Sequence, residues 1–273
     1  MVCQAIAWLG YLACGKLKQI AHRNISVALP KAEKADREKI IKGVFNNLGI
    51  LLAEFSHFPK LSASNIADVV VYDGFENYAE ASQRGKGVLY LTAHFGAWEL
   101  CSFSHAIYGY PLKFVVRPLD NPFVDTLVNR YRTLSGNKTI EKKNSLKEIV
   151  MTLKQNGAIG ILMDQNSTRD AGIFADFFGV PACTTPSIVS IALRTGATII
   201  LAALIWDRQL RKHRLFFGPP VELVKTSDLQ SDIQVNTEKC NQILEELIRK
   251  YPDQWLWVHR RWKTRPEGEP SFY

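Results

Sequence analysis

The stretch Val88-Leu89-Tyr90-Leu91-Thr92-Ala93-His94-Phe95-Gly96-Ala97-Trp98-Glu99 decides how the chain is read. Its first half is a short apolar run that stops at a histidine, and from Gly96 a helical period continues over 96–107. The alternation repeats along the chain. Apolar runs at 69–72, 112–117, 159–164 and 198–206 alternate with helical patterns at 122–134, 146–155 and 186–194. The last of these opens with Thr185 as N-cap and Pro186 at the first helical position. A longer helical pattern at 33–57 precedes the series and another at 236–251 follows it. Short apolar runs separated by helices predict an α/β fold, a single domain with a largely parallel central sheet flanked by helices. No internal repeat, low-complexity tract or linker-like stretch divides it.

Composition bounds the function classes. A 273-residue chain that is 47% hydrophobic and 22% charged can build a large core, which excludes a disordered protein. Lys and Arg exceed Asp and Glu by 34 to 26, a net charge of +8, which favours anionic partners: nucleic acid, an acidic protein or a phospholipid surface. The five cysteines are widely spaced with no CxxC pair, so they read as reduced thiols, not as a zinc site or a disulfide framework. The longest window without a charged residue, 177–193, is broken by Gly179, Pro181 and Pro186 and is no membrane span. Residues 1–15 are uncharged and carry Trp8 and Tyr11, too short to span and better suited to an in-plane interfacial helix. No basic segment precedes them as in a signal peptide.

In parallel sheets, ligands bind beyond the carboxyl ends of the strands. Here that rule selects His94, Arg117 and Asp164. Glu99 follows His94 by five residues, and a bend at Gly96 would bring its carboxylate back onto the imidazole, fixing the tautomer and raising the basicity of the free nitrogen. No second histidine stands four residues from His94, so no metal site is expected; His105 reads as structural. GxSxG, GxxxxGK and GxGxxG are all absent.

His94 to Glu99 resembles the His-x4-Asp/Glu motif of the glycerolipid acyltransferase superfamily, and His-Phe-Gly-Ala-Trp-Glu resembles its bacterial lipid A branch, the late lauroyl/myristoyl-type acyltransferases. Further ordered blocks carry the resemblance over nearly the whole chain: Arg23-Asn24 through Leu29-Pro30, Asn46-Asn47-Leu48-Gly49, Ala53-Glu54, Arg117 to Pro122, Met163-Asp164-Gln165-Asn166, Phe177-Phe178-Gly179 and Trp255 to Pro266. The resemblance implies a glycerolipid-acyltransferase-like domain over 31–273 behind an interfacial segment at 1–30. It implies that His94, supported by Glu99, deprotonates a hydroxyl as it attacks an acyl thioester, with no acyl-enzyme and no cofactor. Arg117, Asp164, Gln165 and Asn166 would bind substrate, and Phe174, Phe177 and Phe178 would line an acyl channel. The donor would be an acyl carrier protein or CoA thioester, and the acceptor an anionic glycolipid, a lipid A precursor, at the cytoplasmic face of the bacterial inner membrane.

Residues 255–266 crowd three tryptophans among basic groups, so Trp255, Trp257, Arg260, Arg261 and Trp262 are candidates for contact with membrane headgroups. The same segment supports a rival reading, a basic nucleic-acid-binding protein in which bases stack on the rings; the His94 and Glu99 pairing makes it the weaker one, and no nucleic acid partner is expected. A third reading keeps the chemistry and changes the acceptor to another glycolipid or an aminolipid. The family usually starts with a longer hydrophobic anchor, so attachment is expected to be peripheral or N-terminally anchored.

Overall fold

Each apolar run becomes a strand, in a computed structural model that describes residues 2–141 and 145–273. Along the chain lie α1 (Val2–Ala13), α2 (Gly15–Ala28), α3 (Lys34–His57), β1 (Val70–Asp73), α4 (Phe75–Gln83), β2 (Val88–Thr92), α5 (Trp98–Ile107), β3 (Lys113–Val116) and α6 (Pro122–Thr133). Then follow β4 (Lys138–Glu141), α7 (Ser145–Lys154), β5 (Ala158–Leu162), β6 (Ile173–Phe177), β7 (Val180–Thr184), α8 (Ser187–Thr195), β8 (Thr198–Asp207), β9 (Lys212–Pro220) and α9 (Leu229–Lys250).

Among the helix starts that differ from expectation, those of α9 and α8 do so for local polar reasons. α9 begins well before residue 236 because Asp228 caps it, accepting from the backbone N–H groups of Gln230 and Ser231, while buried Asp232 holds Thr226; these polar first turns hide the helical period. At α8 the cap position is Pro186, one residue later than expected, and Thr185 turns its hydroxyl to Ser187 instead. The short β4, the β6–β7 hairpin, β9 and α4 have no counterpart in the apolar pattern.

The seven-stranded sheet runs β1-β9-β8-β2-β5-β3-β4. It is parallel from β8 through β4 and turns antiparallel at the β8–β9 pair, with β1 parallel to β9. Side chains alternate across it as strand geometry requires. On β2, Leu89 and Leu91 enter one core with Ile25, Ile41, Ile188 and Leu244, while Val88 and Tyr90 enter a second with Phe103, Leu215 and Phe217. Helices thus cover both faces of one α/β domain.

At the N-terminus, α2 sends Ala21 and Ile25 into the first core, whereas α1 buries none of its residues. It rests on α3 where Gly49 leaves room; a Cβ there would sit 2.8 Å from that of Ala7. Val2, Ile6, Leu9 and Leu12 point outward. Among the described residues no helix is long and apolar enough to cross a membrane.

Candidate active site

The site is built by register. β2 and β5 pair in parallel with Thr92 opposite Leu162, so the residues two positions beyond each strand, His94 and Asp164, emerge side by side. The Met163 backbone N–H still donates to the Thr92 carbonyl, carrying the ladder one step past the strands. Asp164 is 2% exposed, and its oxygens accept from His94 Nδ1 at 2.9 Å, the His94 backbone N–H at 3.0 Å and Trp255 Nε1 at 2.8 Å. An ionised carboxylate only accepts, so Nδ1 carries the proton and Nε2 is left as the basic nitrogen. Gln165 Nε2 lies 3.2 Å from it and donates to it.

The electrostatics reinforce this assignment. Burial works against charge on His94, but the Asp164 charge and hydrogen bond, with the charge of Glu99, raise its pKa above 6.5 overall. Burial would likewise raise Asp164, yet its His94 partner and the hydrogen bonds from Trp255 and the backbone hold the carboxyl below the usual carboxylate range. His94 also packs edge-on against Trp98, with ring centroids 5.3 Å apart.

The bend that starts α5 depends on Gly96, whose φ is +55° and where a Cβ would fall 1.9 Å from the Leu204 carbonyl oxygen. Its N–H donates to Gln254 O and its carbonyl accepts from buried Asn47 Nδ2. The bend does not bring Glu99 into hydrogen bonding with His94. Glu99 sits in the first turn of α5 and meets Arg132, from the last turn of α6, in a bidentate pair of 2.8 and 2.5 Å. Its influence on His94 is through charge, with Arg132 acting in the opposite sense.

His94 opens on a cavity of about 750 Å³. Its walls are mostly apolar, with Leu112, Phe114, Val116, Leu119 and Ile161 among them, and Gln165, Glu99, Arg132, Arg117 and Arg194 supply polarity. Pairing between β3 and β5 covers only Lys113 with Ile159 and Phe114 with Gly160, so the strands part beyond that point and the cavity occupies the gap. A buried acid, an oriented imidazole and an apolar cleft at strand carboxyl ends suit proton abstraction from a hydroxyl on a lipid.

Residues 1–264 match the family model for bacterial lipid A biosynthesis acyltransferases. The chain belongs to this family. It is 30% identical over 257 residues to the lipid A biosynthesis palmitoleoyltransferase of Escherichia coli (strain K12), covering 94% of this chain and 82% of that one. It is 28% identical to the lipid A biosynthesis lauroyltransferase of the same strain, covering 97% of this chain and 86% of the relative. A lipid A biosynthesis acyltransferase of Haemophilus influenzae (strain ATCC 51907 / DSM 11121 / KW20 / Rd) is 29% identical over 97% of this chain and 85% of its own.

In this chain the other expected site residues separate. Arg117 reaches the cavity rim but is 84% exposed, with Asp120 at 3.7 Å, because β3 has already left β5. Asp164 is enclosed by His94 and Trp255, so it holds the imidazole and has no oxygen left for an acceptor. Asn166 faces the C-terminal segment, its amide binding Thr264 and Ser167 and its backbone N–H donating to His259 Nε2.

The aromatic expectations are corrected. Phe174, Phe177 and Phe178 do not line the cavity: the β6–β7 hairpin packs against α9, and Phe177 and Phe178 pack edge-on or tilted among Trp255, Trp257 and Trp262 in the first core. Those three tryptophans and Arg261 are buried, so they meet no headgroup and no base; their clustering in sequence reflects a core plug. Arg261 donates to the carbonyls of Cys183 and Gln165 and to Thr184 Oγ1. Arg260 alone of the set is exposed, lying over the Tyr273 ring.

Arg132 and the indole of Trp255 were not legible as site residues. Only the helical phase of α6, set by tertiary packing, separates Arg132 from Arg130.

Proposed function

We propose that the chain transfers a fatty acyl group from a thioester, carried on an acyl carrier protein or CoA, to a hydroxyl of a lipid A precursor, with His94 as general base. The observation that carries the reading is His94 itself, its Nδ1 held by buried Asp164 and its Nε2 turned to a mainly apolar cavity. Nε2 takes the proton of the acceptor hydroxyl as the oxygen attacks the thioester carbonyl. The tetrahedral intermediate then expels the thiolate, breaking the C–S bond, and the thiolate recovers the proton from the imidazolium. Products are the ester and the free thiol, and neither an acyl-enzyme nor a cofactor enters the cycle.

Asp164 and Trp255 act as positioning residues. Glu99 does so through its charge and through Arg132. The acceptor's anionic groups are supported by Arg117 and Arg194 at the cavity, and the net charge of +8 suits both an acidic carrier and an anionic membrane surface. The exposed apolar face of α1 supports peripheral attachment to that surface.

His94→Ala tests the reading. Transfer of acyl groups from a thioester to a lipid A precursor should fall at least 10²-fold in a variant that circular dichroism shows to be folded, with some loss of melting temperature because buried Asp164 loses its imidazole partner. Wild-type rates in the variant would reject the proposal.

A further inference from the structure

The proposed acyl transfer leaves one charge without a partner. When the hydroxyl adds to the thioester, the carbonyl π pair moves onto oxygen and an oxyanion forms beside His94. Among the described side chains, only Gln165 stands within hydrogen-bond distance of His94 Nε2, at 3.2 Å. An acceptor hydroxyl ready to lose its proton lies about 2.8 Å from that same nitrogen. The carbonyl it attacks is therefore next to the Gln165 amide. The cationic side chains of the cavity are placed otherwise: Arg132 is held by Glu99, and Arg117 and Arg194 are exposed.

The backbone that carries Gln165 is fixed, whereas its side chain is tied once. Its carbonyl accepts from Arg261 Nη1 at 3.4 Å. The next residue, Asn166, donates its backbone N–H to His259 Nε2 at 3.1 Å and its amide to Thr264 Oγ1 at 3.0 Å, and accepts from the Thr264 N–H at 2.8 Å. The Ser167 N–H then donates to the Cys183 carbonyl at 2.9 Å. Burial holds His259 below its ordinary pKa, so Nε2 stays the acceptor that this loop needs. Against these contacts the Gln165 side chain has the single bond to His94.

That bond cannot outlast the proton transfer. Neutral Nε2 accepts the amide N–H, but protonated Nε2 is itself a donor, and two donors repel. The amide loses its partner at the moment an anionic acceptor appears alongside. Being neutral, an amide also neither competes for the proton nor lowers the basicity of His94 as a positive charge would.

We propose that Gln165 is a catalytic residue whose side-chain N–H caps Nε2 in the resting site and passes to the oxyanion of the tetrahedral intermediate. The assignment rests on the proposed acyl transfer. The O–H bond breaks toward Nε2 as the C–O bond forms, and the carbonyl pair becomes the oxyanion that Gln165 holds. Collapse re-forms the carbonyl and breaks the C–S bond. The thiolate takes the proton from Nε2, which then recovers the amide N–H.

Gln165→Leu removes the donor. At a pH above the acid limb, kcat for transfer from an acyl thioester to a lipid A precursor should fall roughly 10²- to 10³-fold, with kcat/KM falling equally. Two unreactive donor analogues separate this role from simple substrate contact: a phosphonate, whose P–O⁻ stands where the oxyanion forms, and a thioether, which has no carbonyl oxygen. Gln165→Leu should weaken phosphonate binding by about 10-fold or more and leave thioether binding unchanged. A kcat at or above that of the wild type, a loss carried by KM alone, or equal weakening of both analogues would overturn the assignment. Should Gln165→Leu not fold, Gln165→Glu decides by the same readings, because a carboxylate of the same shape repels the oxyanion; undiminished kcat or phosphonate binding in it refutes the role. If the wild-type protein transfers no acyl group, the proposed activity fails separately. The two analogues are then compared by calorimetry: selective weakening of the phosphonate in Gln165→Leu supports the donor role, and a wild type that does not favour the phosphonate, or equal weakening, overturns it.

Discussion

A buried aspartate carries the heaviest demand at the residue scale. Asp164 serves three donors, so Asp164→Asn would present an amide N–H to at least one of them and reverse the tautomer that leaves Nε2 basic. Transfer activity should fall on the order of 10²- to 10⁴-fold, measured as kcat/KM, and a loss under threefold would refute its positioning role. Charge around His94 makes a second prediction. The base must be neutral, so kcat/KM rises with pH through a pKa above 6.5. Glu99 raises that pKa and Arg132 lowers it. The acid limb should therefore move to lower pH in Glu99→Gln and to higher pH in Arg132→Gln; movement of both in one direction would show that the pair acts by geometry instead.

At the element scale, α5 is fastened to the sheet by an unusual polar joint, His105 between Tyr72 of β1 and Tyr90 of β2. His105 is neutral when folded, with its pKa depressed from 6.5 to about 3. Between those values the unfolded chain binds the extra proton. The joint's contribution is therefore complete above pH 6.5 and fades as pH falls toward about 3, by up to about 1.4 kcal/mol per unit. Denaturant midpoints measured from pH 7 to pH 5 should fall more steeply in the wild type than in His105→Gln, and parallel curves would contradict the coupling. Reading His105 as structural needed only its helical phase relative to Glu99. Of its two tyrosine partners, Tyr90 lies on the strand just before α5 in the chain, whereas Tyr72 comes from β1, which only the tertiary fold brings to His105.

For the whole molecule, charge and apolar exposure combine. A net charge of +8 accompanies an α1 whose Val2, Ile6, Trp8, Leu9 and Leu12 are exposed, and an α6 that exposes Phe123, Val124 and Leu127. Such a surface should bind anionic vesicles more tightly than neutral ones, with salt removing the difference. Cosedimentation should show Ile6→Ser/Leu9→Ser weakening attachment at least fivefold while the melting temperature stays within a few degrees. Equal binding in that variant would exclude α1 from the contact.

The α/β class, the order of its main strands and helices, and the strand-end placement of His94 and Asp164 were determined by the sequence alone, because burial on both faces of a sheet writes continuous apolar runs into the chain. Which strand lies beside which was decided only in three dimensions. His94 and Asp164 are 70 residues apart and meet because β5 returns beside β2, whereas Arg117, equally well placed in sequence, drifts outward with β3. Burial also overrode composition at residues 255–262. Tryptophan and arginine are amphipathic, and a row of them suits a lipid surface or a core equally well until tertiary packing decides which of them is enclosed. Here that packing seals Trp255, Trp257, Arg261 and Trp262 inside, and it turns one indole N–H onto the carboxylate that holds the site's histidine.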